Sequence, residues 1–436
     1  MTSQILIFCG QRPQASVGAV RLSRRRECLS QTPTNAGGLL FGTFRSATSG
    51  ISGRGLQTSR DSGSSELYPQ TAGGTAAKLK LFLSLIKRRT TITASVGGRL
   101  IKSVAVAGLA VLVLGVNTAR AQTLNIYTGR HYPADQMLYD LFQSQTGITV
   151  NALEGKTGAL LERLRLEGDE SPADLFITVD AGNLWRARNL DLLAPVVSDV
   201  LDARIPPHLR SPENLWFGFA TRSRIAFYNP RVLAAPPRRW SDLALPEYRE
   251  QICARSSSNI YNLSLLASFI ERDGEDAAAR WAQGVVANFA RPPAGGDTDQ
   301  LRAAAEGICG VAIANHYYYA RLLASESAAD NDVAAALVPL WLGEEGDGVH
   351  ANISGGALLR SAKNREEAVA FLEFLASDRA QEIFAEANNE YPVVAGVALS
   401  PVLDVLGLHR TEEVNVSVYG RNQALAQRIY DRAGWQ

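Results

Sequence analysis

Three short stretches of the sequence carry aromatic side chains with a polar or basic tip. GRHYPAD holds His131 and Tyr132, SSSNIYNLS holds Tyr261, and NHYYYARL holds Tyr317, Tyr318 and Tyr319. A buried phenol needs a hydrogen-bond partner, so three in a row are an odd way to build an apolar core. Oxygen ligands suit hard, highly charged cations, whereas thiolates suit soft ones. A free tyrosine ionises near pH 10, and an uncharged ligand gives it little reason to lose its proton. A trivalent ion such as Fe3+ supplies that reason by stabilising the phenolate, as bound metals acidify water. His131 would add one compatible imidazole. Zinc fits poorly, because its usual Cys and His sets are absent.

Other readings fit the same residues. A tyrosine at a strand end commonly packs its ring and leaves its hydroxyl wet. An aromatic box for a quaternary amine or polyamine would use ring faces, and Trp185 and Trp216 supply further rings for one. Arg130 and Arg321 are placed to hold an anion or orient a phenolate, with solvated salt bridges as the plainer role. The Ser256–Asn259 run suits the cap of the helix that follows it, although its hydroxyls would also lie near a ligand.

The elements needed to position these groups are legible in the hydrophobic pattern. TLNIYTGR (123–130) reads as a first strand, and DQMLYDLFQSQTG as a helix with Leu138, Leu141 and Phe142 on one stripe and Gly147 as its stop. ITVNAL is expected to alternate inward Ile148 and Val150 with outward Thr149 and Asn151. ADLFITVD (173–180) looks like a strand covered on both faces. FGFATRSRIAFYN (217–229), QICARSS (251–257) and CGVAIAN (309–315) are strand-like, with helical segments between them. Alternating strands and helices predict an α/β fold with a parallel sheet, and NREEAVAFLEFLASDRAQEIFAEAN one long amphipathic stretch. Each aromatic site falls at a strand-to-helix junction, where ligand sites of such sheets converge.

Beyond residue 121 the chain holds 28 basic and 40 acidic residues, a net of −12, while the head carries the basic excess. An acidic body argues against nucleic acid as partner. Arg99 and Lys102, the apolar run SVAVAGLAVLVLGV and the A-x-A of Ala119 and Ala121 form a secretory signal over 96–121, too short in its apolar part to span a bilayer. No cysteine lies directly after the cleavage point, so no lipid anchor is expected. Residues 1–95 read as an over-extended start or a disordered basic leader. The remaining 315 residues exceed the size at which one core keeps growing, which predicts two α/β lobes with 217–229 as the first crossing between them. Cys253 and Cys309 are the two cysteines of this exported body. They point to one disulfide in an oxidising compartment rather than to zinc, since neither lies in a C-x-x-C spacing. No G-x-S-x-G, P-loop or H-E-x-x-H motif occurs, and nothing in the sequence recommends an enzyme.

Taken together, YTGRHYPAD, EGKTGALLERLRLEGDESPADLFITVD, LRSPENLWFGFATRSR, RSSSNIYNLSL, ANHYYYARLL and NNEYPV resemble the periplasmic ferric-iron-binding proteins of ABC importers, in particular a cyanobacterial and proteobacterial subgroup. The resemblance covers about 122–436. It implies the two-lobed α/β fold of class II periplasmic binding proteins, with a ligand cleft between lobe 1 (122–225, with 345–395 returning to it) and lobe 2 (226–344, with 396–436 packing on it). It implies a monomer that binds Fe3+ in the periplasm and delivers it to an inner-membrane permease. By motif, the ligands would be His131, Tyr132, Tyr261, Tyr317 and Tyr318, with Arg130 and Arg321 behind them and a carbonate-like anion as a possible addition. Tyr319 falls where the family has a different residue and is left out. His131 is a ligand in only part of the family, and the cysteine pair also belongs to only part of it.

Overall fold

The computed structural model describes residues 122–436; the head expected at 1–95 and the signal expected at 96–121 lie outside the described residues. The strands are β1 (Thr123–Thr128), β2 (Thr149–Glu154), β3 (Leu175–Val179), β4 (Phe217–Tyr228), β5 (Ile252–Cys253), β6 (Val311–Asn315), β7 (Val338–Leu340), β8 (Ala351–Leu358) and β9 (Tyr391–Pro392). The helices that bear on the site are α1 (Pro133–Thr146), α2 (Thr157–Glu167), α3 (Ala181–Asn189), α4 (Ile260–Asp273), α5 (His316–Leu323), α6 (Arg365–Leu375) and α7 (Asp378–Asn388).

Strand order is β2-β1-β3-β8-β4-β6-β5, with β7 and β9 also pairing to β4. The twelve-residue β4 is the pivot. Phe217–Ser223 run against β8, and Arg224–Tyr228 run against β6. One strand therefore serves two sheets, and its partner changes between Ser223 and Arg224. The parallel sheet expected from the sequence is present only locally, in β1–β2, β1–β3 and β5–β6. Pairings through β4 and β8 are antiparallel, because these strands carry the chain between lobes instead of closing a helical crossover.

Each sheet has its own core. Leu124, Ile126, Phe176 and Phe219 pack with Phe142 and Phe371, whose rings meet edge-on at 4.9 Å, a pairing worth roughly 0.5–1.5 kcal/mol beyond burial. On the other side Trp240, Phe269 and Trp281 fill the space under β5 and β6. The Trp281 indole N–H donates to the Trp240 carbonyl at 2.7 Å, so this large ring is buried without an orphaned donor.

Two local expectations change. β2 is an edge strand, so only Ile148 is fully buried and Val150 half-buried, and the inward–outward alternation is weak. The long amphipathic stretch breaks into α6 and α7. Ala368, Phe371, Leu372 and Leu375 are buried on one stripe as expected, but Ser377 then accepts from the Ala380 N–H and starts a second helix.

Candidate metal centre

Tyr132 ends the turn after β1 and directly precedes α1, whose first position is Pro133. That turn is tight. A Cβ on Gly129 would meet the Thr157 hydroxyl at 2.3 Å, so only glycine lets β1 run this close to the start of α2. Tyr261 sits in the first turn of α4. Its N–H donates to Asn259 Oδ1 at 3.1 Å, so the cap expected of the Ser256–Asn259 run falls to its last residue. Tyr317 and Tyr318 open α5 directly after β6.

These elements bring four phenols together. Tyr317 Oη donates to Tyr261 Oη at 3.4 Å, and the rings of Tyr317 and Tyr318 lie 4.4 Å apart. Arg321, one turn along α5, holds its guanidinium 5.0 Å from the ring centres of both Tyr132 and Tyr317 and 5.7 Å from that of Tyr318. Tyr132, which follows β1 of one sheet, thus joins three tyrosines that follow β5 and β6 of the other. Tyr319 turns the other way: its hydroxyl donates to the Ala334 carbonyl at 3.2 Å, and its ring packs on Phe227.

His131 stands apart from the four phenols. Its side chain is 52% exposed, and Nδ1 lies 3.3 Å from a Glu154 carboxylate oxygen. Arg130 is buried and engages Asp135 at 3.0 Å and Glu390 at 3.1 Å while its guanidinium lies 4.8 Å from the Tyr132 ring centre. Trp216 is fully buried in the first core and Trp185 lies under Arg188, so neither contributes to an aromatic box.

The pattern search for tyrosines overlooks the charges behind them. Arg222 pairs with Glu390 and lies 5.4 Å from the Tyr317 ring centre. Burial by itself would raise the Glu390 pKa, but Arg130 and Arg222 outweigh it and hold the carboxyl at about 2. Arg224 pairs with Asp297 at 3.1 Å and donates to Asn262, next to Tyr261, and to Asn315, two residues before Tyr317. One buried cation therefore ties down the starts of both tyrosine-bearing helices. The available signal was two arginines inside the apolar strand FGFATRSRIAFY, since buried charges require partners.

Burial pushes the Tyr261 and Tyr317 hydroxyls well above their ordinary pKa, and the neighbouring phenols push further; Arg222 opposes this only in part. Both are neutral phenols at neutral pH until a cation compensates the charge. Among the described residues, no group of three His, Cys, Asp or Glu side chains is placed to hold a metal ion. An ion bound here would rest on phenolate oxygen, the donor set of a hard, highly charged cation.

Two sheets sharing a crossing strand, with polar side chains converging from both sides, define a two-lobed binding protein of the class II periplasmic type. The chain belongs to the family of bacterial extracellular solute-binding proteins, whose family model matches residues 170–405. Iron uptake protein A2 of Synechocystis is 46% identical over 80% of this chain and 99% of its own. The Trichodesmium protein IdiA (FutA), solved in complex with iron and citrate, is 49% identical with a TM-score of 0.70, over 72% of this chain and 100% of its own. The ferric binding protein from Campylobacter jejuni is 39% identical with a TM-score of 0.68, again over 72% of this chain and 100% of its own. Members of such a family bind solutes for transport and are not enzymes.

Proposed function

We propose that this protein binds Fe3+ through the phenolates of Tyr132, Tyr261, Tyr317 and Tyr318 and delivers it, as the exported component of an ABC importer, to an inner-membrane permease. The carrying observation is the gathering of three phenols around Arg321, with Tyr261 joined to them through Tyr317. Relatives named for iron uptake and ferric binding support the same cargo. Four phenolates on a trivalent ion leave one negative charge, and Arg321 lies where it offsets that charge. His131 would join the set only by leaving Glu154. A carbonate-like or carboxylate anion would find its counter-charge in Arg321 and the neighbouring Arg222. The working state is a periplasmic monomer without a membrane anchor; among the described residues no helix is long and apolar enough to cross a membrane.

Lobe 1 would comprise 122–225 and the returning 345–395, and lobe 2 would comprise 226–344 with 396–436 packed on it. Lobes closed on the ion would hold Tyr132 against the other three phenols and shut water out, which strengthens every charge interaction there. Ferric loading of the purified protein is expected to produce a visible tyrosinate-to-iron charge-transfer band that a strong chelator bleaches. A protein that stays colourless and binds no iron in equilibrium dialysis, but does bind a polyamine in calorimetry, would transfer the assignment to an organic cation.

A further inference from the structure

His316 immediately precedes Tyr317 and is 1% exposed. Its ring is committed at both nitrogens. Nδ1 accepts from the backbone N–H of Ser223 at 3.0 Å, and Nε2 lies 2.9 Å from the carbonyl of Asn389. A backbone N–H only donates, so Nδ1 is the bare nitrogen, and the proton sits on Nε2, facing the carbonyl.

The two partners occupy special places. Ser223 is the last residue of β4 paired with β8, and Arg224 is the first paired with β6. The Ser223 N–H thus belongs to the switch between the two sheets. Asn389 is the left-handed residue that ends α7, with φ of 55°. Directly after it come Glu390, which pairs with Arg130 and Arg222, and Tyr391, which pairs with Thr221 of β4. The ring also packs on Tyr391 at 4.9 Å between centres. One imidazole therefore joins the start of the tyrosine helix to the switch point of β4 and to the turn that leads into β9, a strand paired with β4.

We propose that His316 is a positioning residue that couples movement at the β4 switch to the placement of Tyr317 and Tyr318, by holding the β4 switch and the turn before β9 through its two ring nitrogens. This rests on the iron-binding reading for its effect on cargo, but its effect on these two segments is independent of any metal. When the lobes swing, β4 turns about the Ser223–Arg224 step, and the ring transmits that turn to the first residues of α5.

The test compares the wild-type protein with His316→Phe, which keeps a ring but no nitrogen, and His316→Gln, whose amide keeps one acceptor and one donor. Three readouts are followed: loss of the ferric charge-transfer band to excess chelator, amide hydrogen exchange of the metal-free protein, and thermal unfolding. The loss of two hydrogen bonds, with the Ser223 N–H left unsatisfied, is expected to speed iron release about tenfold in His316→Phe. Exchange should rise together at 221–225, 388–391 and 315–319, and His316→Gln should restore release to within about threefold. If His316→Phe does not fold, His316→Asn replaces it; its shorter amide keeps the Nδ1 contact and drops the other, so exchange should rise at 388–391 first. Wild-type release and exchange in a folded variant overturn the proposal. So does equally fast release from His316→Phe and His316→Gln, because ring packing alone would then explain it. A wild-type protein without a ferric band removes the iron reading, and hydrogen exchange in the metal-free state still decides the role of His316.

Discussion

The phenol oxygens of Tyr261 and Tyr317 lie 3.4 Å apart, across a sequence separation of 56 residues. The disulfide Cys253–Cys309 bridges the same separation of 56 residues, because each cysteine lies the same distance upstream of its tyrosine. Cys253 is in β5, Cys309 enters β6, and the two strands pair in parallel at Cys253 and Ala312. The covalent link thus joins the two strand regions that lead into the tyrosine-bearing helices α4 and α5. Replacing both cysteines by alanine is expected to lower stability by about 2–4 kcal/mol, by relaxing the unfolded chain. Iron release should also quicken as Tyr261 and Tyr317 drift apart. Denaturant unfolding and chelator-driven release on the same variant measure the two effects; unchanged release at lowered stability would make the disulfide a purely global brace.

The three consecutive tyrosines should separate cleanly. Tyr317→Phe and Tyr318→Phe each delete a proposed oxygen ligand, and each is expected to weaken ferric binding by at least about 100-fold, more than the loss of an outer contact typically does. Tyr319→Phe removes a hydroxyl that donates to Ala334, at a cost of about 1 kcal/mol in stability and none in affinity. Competition titrations against a chelator of known strength give the three affinities, and equal losses at all three positions would refute the assignment.

Much of this site was readable before any coordinates. Tyr132, Tyr261 and Tyr317 declared themselves because each follows an apolar strand run and opens a helix, a local pattern that strand and helix periodicity expose. The long apolar run of β4 is legible as a strand for the same reason, and it proves to pair in two sheets. The Arg222–Glu390 pair did not show, because its partners are 168 residues apart and nothing local to either residue names the other. His316 gives no local signal, because its partners Ser223 and Asn389 lie 93 and 73 residues away in sequence. The antiparallel pairing of β4 and β8 also escaped, since alternation of strands with helices says nothing about a strand that leaves one sheet for another.

Proton linkage gives two pH dependences of the same sign. The Glu390 carboxyl drops from an ordinary 4.5 to about 2 on folding. A depressed carboxyl stabilises the fold fully above its unfolded pKa and loses that contribution as pH falls through the folded one. About 3 kcal/mol is therefore present above pH 4.5 and disappears between pH 4.5 and 2. Glu390→Gln should flatten stability across this window and cost roughly 3–5 kcal/mol at neutral pH, where Arg130 and Arg222 lose a buried partner. Iron affinity should fall with acidification well before that window. Burial raises the Tyr261 and Tyr317 pKa values, so binding as phenolates expels protons that acid returns. Urea unfolding at pH 2–7 tests the first and iron titrations at pH 4–8 test the second; an affinity independent of pH would argue against phenolate ligands.

His131 and Tyr132 are neighbours in sequence with opposite settings, and a pair of variants exploits the contrast. Tyr132 is the phenol of the proposed set that follows β1, under Arg130 and beside Arg321. His131 is half exposed and paired with Glu154 at the surface. An exposed pair of this kind contributes about 0–1 kcal/mol, so His131→Ala should leave stability within that range. It should change ferric affinity by less than about tenfold, the lower end of what outer contacts contribute. Tyr132→Phe should instead cost at least about 100-fold, because it removes the proposed ligand that follows β1 and with it the ion's hold on that sheet. Small-angle scattering supplies the second readout. Iron should compact the wild-type and His131→Ala proteins and fail to compact Tyr132→Phe. Should His131→Ala lose as much affinity as Tyr132→Phe, the imidazole leaves Glu154 on closure and takes a place on the ion.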